Sequence, residues 1–409
     1  MTRLLFENAS ILDPDAEHLV ADQSVLIEDD RIVDVGGRGD VGTTEADRVV
    51  DVRGGVLMPG LIDCHVHVSA VTADLAQQSE WSPFYVAVRA VEVMRGMLER
   101  GFTTVRDVGG GDFGLARAVD EGVFDGPRLI FGGRALSQTG GHGDGRSRGR
   151  TAQEPGYAYQ SMSVVCDGVA EVRHAVREEI KRGAHHIKLM LSGGVASPTD
   201  RVDSTQFSLE EIRAAVEEAE AANIYVTGHA YTARAINRGL ECGVRCIEHG
   251  NLMDSSSPPL FLKHAAFYVP TLVTYSALAD QGRESGLPAA SYAKVFDVLD
   301  AGLHALEMAD RAGVPIAYGT DLLGAMHAWQ SREFKIRSEV QTPGAIIRAA
   351  TSTAARLLRM EGQIGTLAAG AFADVLVLDG NPLEDVNVLA EPDLHVRMLV
   401  KSGRVIIDR

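Results

Sequence analysis

Between Leu61 and Arg359 short apolar runs alternate with amphipathic stretches, and that alternation constrains the fold more than any other feature of the chain. Eight runs read as strands: LIDCHVHV (61–68), TTVRDVG (103–109), RLIFGGRALS (128–137), HHIKLMLSG (185–193), IYVTGHA (224–230), CIEHG (246–250), FYVPTLVTY (267–275) and PIAYGTD (315–321). Apolar residues at helical spacing fill intervals at 84–100, 167–182, 208–222 and 292–312, the third opened by a Ser208/Glu211 capping box. Strands separated by helices run parallel, because each crossover carries the chain back before the next strand begins. Eight such units predict an α/β fold with a closed (β/α)8 TIM barrel over residues 58–362, whose functional residues gather at the C-terminal ends of the strands.

The two ends follow a different pattern. Residues 1–57 read as short strands with Asp/Gly turns: RLLFENASIL, then SVLIEDDRIVDVG with Asp29 and Asp30 at a tight turn, then RVVDVRGGVLMPG. Residues 363–409 repeat the style in ADVLVLDG (373–380) and VRMLVKSGRVIID (396–408), with Lys401, Ser402 and Gly403 at a second hairpin turn. Together the ends are expected to build one small β-sandwich domain beside the barrel.

With 39 basic against 56 acidic residues, the net charge of -17 repels phosphate and anionic lipid, which argues against nucleic-acid and membrane partners. The uncharged stretch from His264 to Ala279 carries Pro270 and is shorter than the about 20 residues of a membrane span. The opening MTRLLFENASILD alternates like a strand and lacks the apolar core of a signal peptide. Four cysteines without a Cys-x-x-Cys pair read as reduced thiols, and Cys242 and Cys246 lack the further ligands of a zinc ribbon. A cytoplasmic homo-oligomer is the expectation.

His65 and His67 stand two apart near the end of the first strand, so both side chains project to one face, as two ligands of one metal ion must. In a chain with 13 histidines that spacing also arises by chance, so position carries the argument. Lys188, His229, His249 and Asp321 fall at the ends of strands four, five, six and eight. One such histidine is more often a hydrogen-bonded core residue than a ligand. Four histidines, an aspartate and a lysine at one barrel mouth are too costly to bury together without a compensating cation. Lys188 is the odd member, since an ammonium beside a dication is repelled. Either carbon dioxide converts it to N6-carboxylysine, an anion able to bridge two ions, or it caps its strand and pairs with Asp321.

The segments MPGLIDCHVHV, Lys188 in strand four, GHAYTARAI around His229, IEHG around His249 and YGTD at Asp321 resemble the amidohydrolase superfamily over the whole chain. HAYTARAI, IEHGNLMD and SGGVASPTD are most similar to the imidazolonepropionase-related branch, which contains metal-dependent dipeptidases, among them Xaa-Pro dipeptidases, and ochratoxin-degrading amidases. The resemblance implies two divalent ions, with Zn2+ the expected metal: His65, His67 and Asp321 on one, His229 and His249 on the other, and carbamylated Lys188 as the bridge. Mononuclear deaminases and imidazolonepropionases of the superfamily place a Glu three residues after the strand-five His. Here His229 is followed by Ala230, Tyr231 and Thr232, so the missing acid and the present lysine imply hydrolysis of an acyclic amide.

On this reading two divalent ions lower the pKa of a bridging water, whose hydroxide attacks the amide carbonyl. Asp321 either passes the water's proton to the leaving amine or is a ligand only. The expected substrate is a dipeptide or N-acyl amino acid; the alternatives are a non-peptide amide, carbamate or lactam, or a catalytically silent scaffold. Tyr231 is a candidate to bind a substrate carboxylate, and His142, in the Gly-rich loop after strand three, to bind the carbonyl or carboxylate, with a structural role as the competing reading for each. Arg146, Arg148 and Arg150 belong to a loop over 138–157 that is either a solvated surface or a lid, with Arg148 the guanidinium offered to a carboxylate. Gly193 and Gly194 either let the backbone approach substrate or form a turn, and Trp81 and Trp329 either line a pocket or simply pack.

Overall fold

The computed structural model describes residues 2–37, 39–41, 46–146, 149, 162–197 and 200–409. Two parallel sheets form its middle. One has the strands Leu61–Val66, Phe102–Asp107 and Arg128–Phe131 side by side. The other has, in spatial order, Ser163–Val165, Ala135–Ser137, His186–Met190, Tyr225–Thr232, Cys246–Leu252 and Phe267–Val269. The His185 N–H donates to the Phe131 carbonyl at 2.9 Å and ties the two sheets on one side. On the other side the Tyr268 N–H donates to Pro315, the Ala317 N–H to Tyr268 and the Cys64 N–H to Tyr318, so the segment 315–321 lies between Phe267–Val269 and Leu61–Val66. Helices Gly168–Lys181, Leu209–Ala221 and Ala233–Glu241 press Val172, Val176, Ile212, Ala215, Ile236 and Leu240 onto Ile187, Leu189, Val226 and Ile247. At the second of these, Ser208 Oγ accepts from the Glu211 N–H at 3.3 Å while the Glu211 carboxylate accepts from the Ser208 N–H at 2.6 Å, the capping box expected there.

Four elements depart from the periodicity. The run 128–137 is two strands in different sheets, because Gly133 takes φ 72° where a Cβ would overlap the Glu179 carboxylate, and the chain turns there. The run 267–275 stops being a strand at Val269. Pro270 has no N–H for a ladder, and Thr271, left-handed at φ 49°, leads into the helix Leu272–Gln281. The run 315–321 pairs through one bridge, Ile316 with Tyr268, and otherwise by the backbone hydrogen bonds above. The helix expected over 292–312 is two, Ala289–Val295 and Ala301–Arg311.

The ends of the chain share an eight-stranded sheet. Its order is Arg404–Asp408, Val396–Lys401, Val375–Leu378, Val56–Pro59, Arg3–Asp13, His18–Glu28 and Arg31–Gly37, with Arg48–Asp51 also paired to Arg3–Asp13. The seam is the antiparallel pairing of Val375–Leu378 with Val56–Pro59. Strand alternation splits its side chains between two cores: Val375 and Val377 join Phe6, Val25, Ile32 and Met398, while Leu376 and Leu378 join Leu61, Phe102, Val105 and Leu399. The hairpin turns of the two ends touch, with Gly403 at φ 74° so near the Asp29 carbonyl that a side chain there would collide. Among the described residues no helix is long and apolar enough to cross a membrane.

Removing residues 373–409 should therefore bare the ladder edge of Val56–Pro59 and the apolar face around Phe6 and Val25 together. The truncated chain is expected in the pellet on ultracentrifugation; a soluble chain with the full-length unfolding transition would refute the shared sheet.

Candidate metal centre

His65 lies in the strand Leu61–Val66 and His67 just beyond it, and the backbone of Asp321 is pinned to the same strand by its N–H, which donates to the His65 carbonyl at 2.8 Å. His65 Nδ1 faces the Glu248 carboxylate at 2.7 Å and His67 Nδ1 faces the Gly109 carbonyl at 2.8 Å. Both partners only accept, so each ring carries its proton on Nδ1 and presents the Nε2 lone pair. The two Nε2 atoms converge on Asp321 Oδ1, each at 3.2 Å. His65 Nε2 is buried without a hydrogen-bond partner. Three acceptors facing one another at this range repel unless a cation sits among them, which is the donor set a divalent ion requires. Among the described residues, His65, His67 and Asp321 are the group whose ligand atoms approach closely enough to share an ion.

The other expected ligands surround this cluster. His249 is 4.9 Å from His65 between ring centroids, its Nδ1 is 2.8 Å from the Thr271 hydroxyl and 3.9 Å from Asp321 Oδ2. His229 is 4.5 Å from the His249 ring, with Nε2 3.1 Å from the Gly193 carbonyl. Lys188, in the strand His186–Met190, is 2% exposed. Burial pushes its amine down, against the raising pull of Glu248 and Asp321. Burial works to raise the Asp321 carboxyl; without an ion, a proton on the facing nitrogen of His65 or His67 would hold it well below the usual range, and a bound cation would take over that role.

Beneath the cluster lies a charged pair that the strand periodicity does not reveal. The Arg106 guanidinium donates through Nη2 to Glu248 Oε1 at 2.7 Å and through Nε to the Cys64 carbonyl at 2.5 Å, and the Thr227 hydroxyl also reaches Glu248. Arg106 and Glu248 have no exposed surface. Burial would raise the Glu248 carboxyl, yet Arg106 and His65 hold it well below its ordinary value. The available signal was a charge inside an otherwise apolar strand, in TTVRDV and again in IEHG.

The candidate recognition residues gather on the His229 side. The His142 ring stacks on His229 at 4.2 Å, and Tyr231 lies edge-on to His229 at 4.9 Å and stacked on His249 at 5.4 Å. Tyr275 Oη is 3.0 Å from Tyr231 Oη. Arg148 and Arg150 lie outside the described residues, and Arg146 is paired with Asp144 at 2.6 Å. Gly194 makes room for the His142 ring, which a Cβ would displace, and Gly193 is pressed against the Arg201 carbonyl. Trp81 packs edge-on against Tyr85 at 5.5 Å and Trp329 lies beneath the Arg332 guanidinium at 3.6 Å, so both are engaged in packing. The four cysteines are free and buried. A cavity of about 810 Å³ lined by Phe113, Arg128, Phe131 and Lys401 contains none of the cluster's residues.

A family model described as the amidohydrolase family matches residues 56–406. Ochratoxinase of Aspergillus niger is 34% identical, aligned over 97% of this chain and 85% of its own. The crystal structure of a prolidase complexed with N-methylphosphonate-L-proline is similar at 48% identity and a TM-score of 0.97, with 100% of both chains covered. That of a Xaa-Pro dipeptidase with bound methionine is similar at 29% identity and a TM-score of 0.88, covering 99% of this chain and 100% of the other.

Because Glu248 both answers Arg106 and holds the His65 tautomer, Glu248→Gln should act on stability and metal together. Leaving Arg106 without its counter-charge is expected to cost about 3–5 kcal/mol in urea unfolding, and loosening His65 should weaken metal binding roughly 10–100-fold in a chelator competition. A variant with wild-type unfolding and wild-type metal affinity would contradict this account.

Proposed function

The chain belongs to the amidohydrolase family, and from that premise we propose that it hydrolyses the amide bond of a dipeptide or N-acyl amino acid at a centre of two divalent ions, with Zn2+ the first metal to test. The observation that carries the reading is the convergence of the His65 and His67 Nε2 lone pairs on Asp321 Oδ1 around a buried, partnerless nitrogen. His65, His67 and Asp321 would hold one ion, His229 and His249 the other, and Lys188 as a carbamate would bridge them. The burial of Lys188 supports the modification, since it favours the neutral amine, whose nitrogen bonds the carbon of carbon dioxide with loss of one proton.

When bound, the ions supply a Lewis acid for the scissile carbonyl and an acidified water. The chain's own part is to position and to move a proton. Asp321, a carboxylate at the heart of the cluster, would be the base that takes a proton and returns it to the leaving amine nitrogen. His142, stacked on His229, would bind the substrate carbonyl or carboxylate and Tyr231 a substrate carboxylate, with Arg148 a third contributor from the 138–157 loop. The similarity to a prolidase and to a Xaa-Pro dipeptidase makes dipeptides ending in proline the first substrates to try. A non-peptide amide is the second reading, favoured by the 34% identity to ochratoxinase over 97% of the chain.

The backbone hydrogen bonds of segment 315–321 support a sheet closed into a (β/α)8 barrel over 58–362, and the shared sheet supports a composite β domain of 1–57 and 363–409. A cytoplasmic homo-oligomer completes the proposal.

Zn-loaded protein should release free amino acid from members of a dipeptide and N-acyl amino acid library, with close to two ions per chain by elemental analysis. Chelation should abolish turnover. Lys188→Ala should lose most activity and one or both ions, and acetate or propionate should restore part of each by filling the vacated bridge. Full turnover with one ion or none, or a Lys188→Ala variant with two ions and normal turnover, would overturn the binuclear reading.

A further inference from the structure

Two of the groups facing the candidate centre are held from one distant segment, the helical excursion 272–295 that follows the strand Phe267–Val269. Tyr275, on its first helix, meets Tyr231. Lys294, on its second helix Ala289–Val295, sends its ammonium into the loop after the strand His186–Met190. There it donates to three backbone carbonyls, of Gly194 at 3.0 Å, Ser197 at 2.9 Å and Asp200 at 2.7 Å. Its Nζ is also 3.5 Å from Asp200 Oδ1.

Asp200 passes this hold inward. Its carboxylate accepts from the Gln206 amide at 2.9 Å, from the Gly194 N–H at 3.2 Å and from the Ser197 hydroxyl. Ser197 Oγ is 2.9 Å from His142 Nδ1. Ser197 and Asp200 are 2% and 4% exposed on the whole residue and side chain respectively, so water does not compete for these contacts. A hydroxyl has one proton. Spent on the Asp200 carboxylate, it leaves Ser197 Oγ as the acceptor of a proton on His142 Nδ1. Ser197 stands between the histidine and the aspartate, so the aspartate cannot orient the histidine as a base for the serine, and the arrangement is not that of a nucleophilic serine. Gln206 fixes the same residue from its backbone side, its amide oxygen accepting from the His142 N–H at 2.9 Å.

We propose that Lys294, Asp200 and Ser197 are positioning residues that act through His142, holding its ring on Gly194 and His229 with Nε2 turned toward the substrate. The excursion 272–295 thereby sets substrate recognition through His142, which is not among the proposed metal ligands. The proposal rests on the reading of His142 as a substrate contact, and it adds which residues make that contact possible.

The test is a double-mutant cycle. Lys294→Met and Asp200→Asn should each lower kcat/KM roughly ten- to hundredfold through a higher KM, with Lys294→Arg recovering part of the loss and metal content at the wild-type level. In a His142→Ala background the same substitutions should change kcat/KM less than twofold, because the residue they act through is gone. Equal losses in both backgrounds, or losses carried by metal content, would overturn the proposal in favour of a general structural role. A readout without turnover separates this from the choice of substrate: crystal structures of the metal-loaded variants should show the His142 ring moved off Ser197. A ring that stays in place in Asp200→Asn overturns the positioning role even if no dipeptide is ever hydrolysed.

Discussion

The buried contact between Arg106 and Glu248 is the interaction on which the middle of this protein depends. Two opposite charges at 2.7 Å with no exposed surface owe a desolvation cost of several kcal/mol each, which mutual attraction and hydrogen bonding must offset. The offset is spread over three strands. Arg106 belongs to Phe102–Asp107, Glu248 to Cys246–Leu252, and the guanidinium also binds the Cys64 carbonyl in Leu61–Val66. Strands of the two sheets are thereby tied to one another, and the remaining carboxylate oxygen is left to face His65 Nδ1. The same charge that joins the two sheets decides which nitrogen of His65 is free, so the fold and the chemistry of the cluster cannot be tuned separately.

Backbone strain collects around this point. His249, Thr271 and Asp321 take φ of 73°, 49° and 53°, a region that costs a non-glycine residue about 1–3 kcal/mol. Local bonds hold two of the three. The Asp321 N–H is committed to the His65 carbonyl, and the Tyr268 hydroxyl donates to the His249 carbonyl at 2.7 Å. In left-handed conformation the chain turns sharply at these positions, which lets the Asp321 carboxylate reach back to His65 and His67 and lets His249 face it.

What the sequence makes legible follows from this division. His65, His67 and Asp321 stand out because ionisable groups at the ends of apolar runs have no structural reason to be there unless they meet one another. Arg106 and Glu248 stand out less. A charge in the middle of a strand reads as an exposed position, and only a partner about 140 residues away converts it into a core residue. The end of Phe267–Val269 is hidden because Leu272, Val273 and Tyr275 are as compatible with a strand as with a buried helix, and short apolar runs do not separate the two by period. Lys294 gives no signal at all, since its role depends on where two loops meet.

The two kinds of residue also sit on two kinds of support. The His-His-Asp cluster hangs from strand ends braced by a buried ion pair, where a shift of one side chain is resisted by packed strands on both sides. His142 is held from the loop over 193–206 and the excursion 272–295 by hydrogen bonds to backbone carbonyls and hydroxyls, beside a separate core in which Tyr231 and Tyr275 pack with Val195 and Val295. Loop polar contacts of this kind generally change at less cost to stability than a buried ion pair beneath a cluster. A chain built this way can keep one hydrolytic centre while its substrate changes. That is a physical reason for a prolidase and an ochratoxinase to stand among the proteins this chain resembles across nearly its whole length.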